Sequence, residues 1–278
     1  MLFDSHLHLI YPDRLSYPWL ETVPALNAPS TFESYLQKAK RLGISGCLHM
    51  EVDVEPAQIT QETEMVSELM AAPNSILRGA ISSARPETSG FAAFLELALE
   101  NAAIKGLRRI LHTQPDDLSQ SPEFRNNIKR LSNTGLTFDL CVLPHQLPIA
   151  AALVDHCPEV SFILDHCGVP DIKGRAISPW NVDLAELAKR PNVVAKISGI
   201  IAYGDADSWG LDDLRPYFDH VVEAFGHKRI IWGSDSPVCN LGGGIEAWVA
   251  ATHALTNDWS LEDRTAFYTG TAQSIWKL

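Results

Sequence analysis

The sequence has 278 residues, of which 46% are hydrophobic and 20% are charged, and this composition excludes a disordered chain, a collagen and a coiled coil. The formal net charge is −12 at pH 7 and Lys and Arg form no clusters, so we expect neither a nucleic acid nor an anionic membrane as a partner. The sequence shows no apolar stretch of about 18 residues and no leader pattern at its start, and a cytoplasmic protein is expected.

Eight short runs, taken in chain order, have the composition of buried β-strands. They are rich in β-branched residues, and their apolar residues do not alternate with polar ones, as is typical of parallel strands with both faces covered. The eight predicted strands are Leu2 to His8, Ile44 to Glu51, Ile76 to Ser82, Ile104 to Leu111, Thr137 to Leu143, Ser161 to His166, Val193 to Gly199 and Arg229 to Asp235.

Amphipathic stretches between these runs predict helices. The clearest begins with a capping box from Ser30 to Glu33 and ends at Gly43, and another begins at Ser121 and Pro122. The other predicted helices are Glu62 to Ala71, Gly90 to Ala103, Pro148 to His156, Val182 to Lys189, Pro216 to Phe225 and Ile245 to Leu255, with a terminal helix from Leu261 onward. Eight alternations of strand and helix predict an α/β protein, a single (β/α)8 TIM barrel that forms one domain over residues 1–278.

Three irregular segments interrupt this alternation, and each of them follows a predicted strand. Residues 10–29 follow the first strand, residues 168–179 the sixth, and residues 203–209 the seventh. The carboxyl ends of all strands of a barrel meet at one face, so we expect distorted loops on the C-terminal face, the first of them acting as a lid.

The first predicted strand ends in two histidines, His6 and His8. Residues two apart in a strand point to the same side, so both imidazoles are expected to project into the mouth of the barrel. Two imidazoles in this position can hold a metal ion or contact a substrate carbonyl group.

The sixth and eighth predicted strands also end in titratable residues, His166 and Asp235. Alternation along the sixth strand places His166 and Asp165 on opposite faces. Because the ends of strands one, six and eight meet at the mouth of a barrel, we expect His6, His8, His166 and Asp235 to converge there.

Strands two and seven carry two further charged residues whose roles the sequence leaves open. His49 and Glu51 share a predicted face, and Glu51 is either a metal ligand or hydroxyl acceptor in the site or a solvated loop carboxylate. Lys196 lies inside an apolar strand, where an unpaired Lys is rare, so it forms a structural ion pair in the barrel or contacts the substrate.

Several segments, in order along the chain, resemble those of the amidohydrolase superfamily. They are similar in particular to the subgroup of sugar and dicarboxylate lactonases that includes L-fucono-1,5-lactonase and 2-pyrone-4,6-dicarboxylate lactonase. The resemblance covers the whole chain. The segments that carry it are the Asp-x-His-x-His of strand one, Gly106 to Arg109, Leu164 to Gly168, Val194 to Gly199, Gly233 to Pro237 and Gly270 to Ala272.

The chain departs from the binuclear members of that superfamily. Those members use a carboxylated Lys at the end of strand four and a His at the end of strand five. Here strand four ends in Ile110-Leu111-His112 and His145 lies two positions beyond the expected place, so no binuclear site is expected. Because some members of the lactonase subgroup work without a metal, we favour metal-independent hydrolysis. One Zn²⁺ is the alternative, and its ligands would be His6, His8, His166 and Asp235.

The resemblance implies a hydrolase that opens the ester ring of a small sugar-derived or related lactone to give the hydroxy acid. In this hypothesis Asp235 is the general base that takes a proton from the attacking water. His6, His8 and His166 polarise the carbonyl group and stabilise the oxyanion.

Strand four carries a pair of arginines, of which only one can enter the barrel. Alternation places Arg108 and His112 on one face and Arg109 on the other, and the resemblance selects Arg108 as the residue that, with His112, fixes the polar end of the substrate.

Two other hypotheses stay open. The first is a zinc enzyme that hydrolyses amides or decarboxylates aromatic acids on the same barrel, and the second is a non-catalytic ligand-binding barrel. The sequence does not tell which lactone would be used or whether the chain forms a homo-oligomer.

Overall fold

The computed structural model describes residues 1–278 and contains eight parallel strands in one sheet, paired in the order of the sequence. Residues after the last strand pair with the first strand, since the His8 N–H donates to the Ser236 carbonyl and the Asp235 N–H donates to the His6 carbonyl, both at 2.8 Å. The (β/α)8 TIM barrel predicted from the sequence is confirmed. The strands are β1 (Leu2–Leu7), β2 (Ile44–Met50), β3 (Leu77–Ser83), β4 (Ile104–Ile110), β5 (Thr137–Cys141), β6 (Ser161–Leu164), β7 (Val193–Ser198) and β8 (Ile230–Gly233).

One helix follows each strand, and two short helices complete the chain. None of the helices is both long and apolar enough to cross a membrane. The helices are α1 (Phe32–Leu42), α2 (Ile59–Ala71), α3 (Phe91–Glu100), α4 (Pro122–Lys129), α5 (Leu147–His156), α6 (Trp180–Ala188), α7 (Leu211–Phe225), α8 (Gly244–Leu255), α9 (Leu261–Thr265) and α10 (Thr271–Trp276).

Helix α1 begins one residue later than its sequence predicted. Thr31, not Ser30, is the N-terminal cap, and its hydroxyl accepts a hydrogen bond from the Ser34 N–H at 3.3 Å. The backbone of Ser30 instead pairs with Ile10 in an antiparallel bridge that closes the preceding loop. At the other end Gly43 has a φ of 71° and caps the helix as expected.

Several strands end one or two residues earlier than predicted, which changes the direction of the side chains that follow. Alternation between the two faces applies only while the backbone stays extended. The predictions of shared faces therefore do not extend to the residues just beyond the observed ends of β1, β2, β6 and β8, which are His8, Glu51, His166 and Asp235.

An apolar cluster fills the inside of the barrel below the candidate site. It joins strands that are not neighbours in the sheet, such as Phe3 of β1 and Ile163 of β6, so its members point inward. On β1, β6 and β8 the titratable residues come after these apolar residues along the chain. The polar groups therefore lie on the C-terminal side of the barrel, the face on which enzymes of this fold bind substrates.

Candidate active site

The structure brings the four converging residues of the sequence prediction into contact at the mouth of the barrel. The Nε2 atoms of His6 and His8 lie 3.2 Å apart, and they are 3.7 Å and 3.4 Å from Asp235 Oδ1. His166 Nδ1 lies 3.6 Å from the other oxygen of Asp235. All four side chains are buried.

An irregularity in β1 orients the two histidines. Asp4 pairs with Cys47 and Leu7 pairs with His49, so β1 uses one residue more than β2 over this stretch. Such a bulge redirects side chains locally, and bulges are common beside active sites. Leu7 packs in the outer core, while His6 and His8 turn toward Asp235.

His166 and Asp235 reach the site because the backbone leaves the extended conformation at both residues. Their φ angles are 50° and 56°, in the left-handed region that side chains with a Cβ seldom adopt. Such conformations cost of order 1–3 kcal/mol each and are typical of functional sites. Gly199 makes room for this turn, since a Cβ at that position would lie 2.4 Å from the Cβ of Asp235.

Asp165 belongs to the centre of the site, although the sequence analysis did not select it. Its carboxylate is fully buried and lies 3.4 Å from His6 Nδ1, 2.8 Å from the Lys196 ammonium and 3.4 Å from the Arg108 guanidinium. Asp165 continues the alternation of Ile163, which points into the barrel. The spacing of these two residues was the available signal, but β6 is apolar on both faces and alternation alone does not tell which face is inside.

The partners of the imidazoles assign their protons. Burial alone would raise the pKa of Asp165, but Lys196 and His6 hold it well below its usual value, so an ionised carboxylate faces His6 Nδ1. His8 Nδ1 lies 3.1 Å from the carbonyl oxygens of Met50 and Glu51, to which it donates. The proton of His8 therefore resides on Nδ1, and its Nε2 lone pair points toward Asp235 and His6 Nε2.

Burial keeps these imidazoles neutral. It lowers the pKa of His8 to about 3 and the pKa of His6 well below its usual value, and it also lowers the pKa of His166. The same burial raises the pKa of Asp235 to about 6. Neither oxygen of the buried Asp235 carboxylate has a hydrogen-bond partner. An unpartnered buried carboxylate is costly, which is typical of a group held ready to bind a proton or a cation.

The arrangement of His6, His8 and Asp235 fits one divalent metal ion. Their three donor atoms are separated by 3.2 to 3.7 Å, close to the roughly 3.3 Å that tetrahedral zinc imposes on ligands about 2.0–2.1 Å away. Asp165 would orient His6 from behind, as carboxylates commonly do for metal-binding histidines. His6, Asp165 and His166 form a second group whose donor atoms also lie within 4.8 Å of one another.

Lys196 and Glu51 both lie in buried ion pairs. The fully buried ammonium of Lys196 lies 2.5 Å from Asp139 and 2.8 Å from Asp165, which is the structural ion pair that the sequence offered as one alternative. Glu51 is buried rather than solvated, and it accepts a hydrogen bond from Arg108 Nε at 2.6 Å. Neither residue lines the cavity described below.

His49 and Glu51 also do not share a face, contrary to the sequence prediction. His49 Nε2 lies 3.2 Å from Glu62 of α2, on the outside of the barrel. Glu51 comes after the end of β2 and turns inward to Arg108.

A cavity of about 330 Å³ opens above the four converging residues. His8, His166 and Asp235 form part of its polar floor, and Arg108 and His112 line it as well. Its volume lies near the lower end of the range of about 300–1,000 Å³ that is usual for small-molecule sites.

The three irregular segments that follow β1, β6 and β7 all contribute residues to this cavity, as expected for loops on the C-terminal face. Residues 10–29 contribute Trp19, Val23 and Leu26, and the segments after β6 and β7 contribute Val169 and Tyr203. Trp19 is held in place by a hydrogen bond of 2.8 Å from its indole N–H to the Val52 carbonyl.

Residues 3–278 match the protein family described as Amidohydrolase. An uncharacterized protein of Sinorhizobium fredii is 26% identical over 100% of this chain and 98% of its own length. An L-fucono-1,5-lactonase of Burkholderia ambifaria is 33% identical over 52% of this chain, and the alignment spans about half of the lactonase. A 4-sulfomuconolactone hydrolase of Rhizobium radiobacter is 28% identical over 84% of this chain and 75% of its own length.

The fold is shared with solved structures of low sequence identity. An amidohydrolase of Burkholderia multivorans with bound zinc superposes with a TM-score of 0.89, covering 100% of this chain and 99% of that one at 23% identity. At this identity the likeness establishes the barrel and its connections only.

Proposed function

This chain belongs to the amidohydrolase family and is a hydrolase, and we propose that it opens the ester ring of a lactone with Asp235 as the general base. One observation carries the proposal. The buried Asp235 carboxylate has no hydrogen-bond partner, lies among three neutral imidazoles and faces a cavity of small-molecule size. Relatives named as lactonases support the choice of a cyclic ester.

The proposed reaction uses Asp235 to move one proton. Asp235 accepts it from a water molecule as the water oxygen bonds to the carbonyl carbon, and negative charge develops on the carbonyl oxygen. The ring C–O bond then breaks, and the proton passes from Asp235 to the departing alkoxide. The products are the hydroxy acid and the original carboxylate of Asp235.

Arg108 supplies N–H donors for the substrate. Arg108 donates hydrogen bonds to Glu51 Oε1, the Glu51 carbonyl and Asp165, and these use three of the five N–H groups of the guanidinium. The remaining N–H groups are available to the carbonyl oxygen of a substrate, since Arg108 lines the cavity.

Acidification is expected to abolish hydrolysis. Only the ionised carboxylate accepts a proton, and burial raises the pKa of Asp235 to about 6. Activity is therefore retained above this pH, and kcat/KM falls about tenfold for each pH unit below it. Initial rates of chelator-treated protein from pH 4.5 to 8.5 test this, and a profile with no acid limb contradicts Asp235 as the base.

A second candidate, the same hydrolysis assisted by one divalent ion, is favoured by the short distances between the donor atoms of His6, His8 and Asp235. Because His8 carries its proton on Nδ1, its Nε2 cannot donate a hydrogen bond to a substrate carbonyl oxygen. His6 and His8 can hold an ion together with Asp235. When bound, such an ion supplies a Lewis acid that polarises the carbonyl and lowers the pKa of water. It would also lower the pKa of Asp235 and move the acid limb below pH 6.

Zinc is expected to stabilise chelator-treated protein. A hundredfold excess of Zn²⁺ over its Kd should raise the Tm by roughly 5 to 10 °C, because the ion binds only the folded site. The His8→Gln variant should lose this shift. His145→Gln should keep it, since the exposed His145 lies in a short 3₁₀ turn after β5 and contacts Asp116 outside the site. A zinc shift that is absent from the parent protein, or equal in both variants, contradicts the metal proposal.

A further inference from the structure

The walls of the cavity are mostly hydrocarbon. Eleven of its eighteen lining residues are hydrophobic, and they come from several loops as well as from the barrel. The apolar part of the lining includes Trp19, Leu26, Val52, Val238 and Leu241. Covering such a surface with apolar groups of a substrate lowers the free energy of binding. Hydroxyl groups placed against it provide no such stabilisation.

The cavity offers no uncompensated positive charge. Arg108 is the only Lys or Arg among its lining residues, and its charge is balanced by Glu51 at 2.6 Å and Asp165 at 3.4 Å. The carboxylates that line the cavity are Asp235 and Asp53, of which Asp53 is paired with Arg85 at 3.3 Å. An anionic substrate would therefore meet a surface of zero or negative charge.

Several polar groups near the cavity already have partners within the protein. The Trp19 indole N–H donates to a backbone carbonyl, and His112 Nδ1 lies 3.0 Å from the sulfur of Cys141. A polyhydroxylated lactone would lose the hydration of several hydroxyl groups against this wall. Each buried hydroxyl without a partner costs about 1–3 kcal/mol.

We infer that the substrate is a neutral lactone with an alkyl or aryl substituent, bound with its ring ester over Asp235 and its hydrocarbon arm against Trp19, Leu26 and Leu241. The inference rests on the proposed lactone hydrolysis and names the substrate class for that site. It disfavours both sugar lactones and lactones that carry carboxylates.

A panel of three lactones tests this inference. The probes are δ-valerolactone, δ-decalactone and glucono-δ-lactone, and hydrolysis is followed in a pH-stat above the uncatalysed rate. Burying two or more methylene groups should make kcat/KM for δ-decalactone at least about tenfold higher than for δ-valerolactone. Glucono-δ-lactone should be the poorest of the three. If it is hydrolysed as well as δ-decalactone, the inference is overturned while lactone hydrolysis stands.

A failure of the proposed function has a different signature. In that case all three lactones react at the uncatalysed rate, with the parent protein and with Asp235→Asn alike. A chain that hydrolyses lactones without preferring the alkyl arm overturns only the substrate class.

A substitution in the apolar lining of the cavity tests where the hydrocarbon substituent of the lactone binds. Leu241 is 36% exposed, so Leu241→Asn places a polar group against the arm at little cost to folding. The ratio of kcat/KM for δ-decalactone to that for δ-valerolactone should fall about fivefold or more. Leu261→Asn, at an exposed leucine of α9 that does not line the cavity, should leave the ratio as in the parent. An equal ratio in both variants overturns the placement of the arm.

Discussion

Asp235→Asn is expected to lower kcat for lactone hydrolysis by about 10²- to 10⁴-fold, the usual cost of losing a general base. The amide has nearly the same shape as the carboxylate but cannot accept a proton. The fold should be retained, because neither carboxylate oxygen of Asp235 has a hydrogen-bond partner, so the substitution breaks no hydrogen bond of that side chain. Circular dichroism and thermal melting, measured with the rates, separate lost chemistry from lost structure.

Asp116→Asn is the matched control for this variant. Asp116 follows β4, outside the cavity, and its carboxylate contacts His145 and Gln146. It should change kcat by less than about threefold, since surface substitutions away from a site have small effects. If Asp235→Asn retained more than about a tenth of the parent kcat, Asp235 would not be the base.

The positions of the central residues were accessible from the sequence because the barrel fixes where strand ends meet. The barrel brings the carboxyl ends of β1, β6 and β8 together, independently of the conformations of the loops. The residues at or just beyond the ends of these apolar strands are His6, His8, His166 and Asp235. The local conformations were not accessible. The left-handed turn at Asp235 depends on Gly199 and on a bond to His6 of β1, and the His166 ring contacts Ser198 of β7; all of these are contacts between distant parts of the chain.

Asp165 shows where alternation stops being informative. A strand buried on both faces has apolar residues at every position, so its pattern gives the period of two but not which face is inside. The same limit applies to Glu51, which follows the end of β2 and is turned by its bond to Arg108. The partners of both carboxylates lie on other strands, so a local sequence pattern cannot predict these contacts.

The charged groups inside the barrel support the site from below. Lys196 lies between Asp139 and Asp165, and Asp165 in turn faces His6 and Arg108. Lys196 and His6 hold the pKa of Asp165 well below its usual value. A residue with no access to the cavity thus helps to keep a negative charge beside His6 and Arg108.

Lys196→Met is therefore expected to have the largest effect on stability. Removing one partner of a fully buried ion pair leaves Asp139 without a counter-charge and Asp165 with Arg108 alone, and costs about 3–5 kcal/mol. The Tm should fall by roughly 10 °C, measured by calorimetry or circular dichroism. Lys189→Met is the control, because the exposed Lys189 pairs with Glu186 at the surface and such pairs contribute about 0–1 kcal/mol.

A second substitution tests whether uncompensated charge is the cause of that loss. Asp139→Asn, added to Lys196→Met, removes one of the two carboxylates that face the missing ammonium and should restore part of the Tm. If instead only lost packing lowered the Tm, the double variant would melt no higher than Lys196→Met. Equal Tm values for Lys196→Met and Lys189→Met would contradict the role of the buried ion pair altogether, and with it the argument that Lys196 sets the ionisation of Asp165.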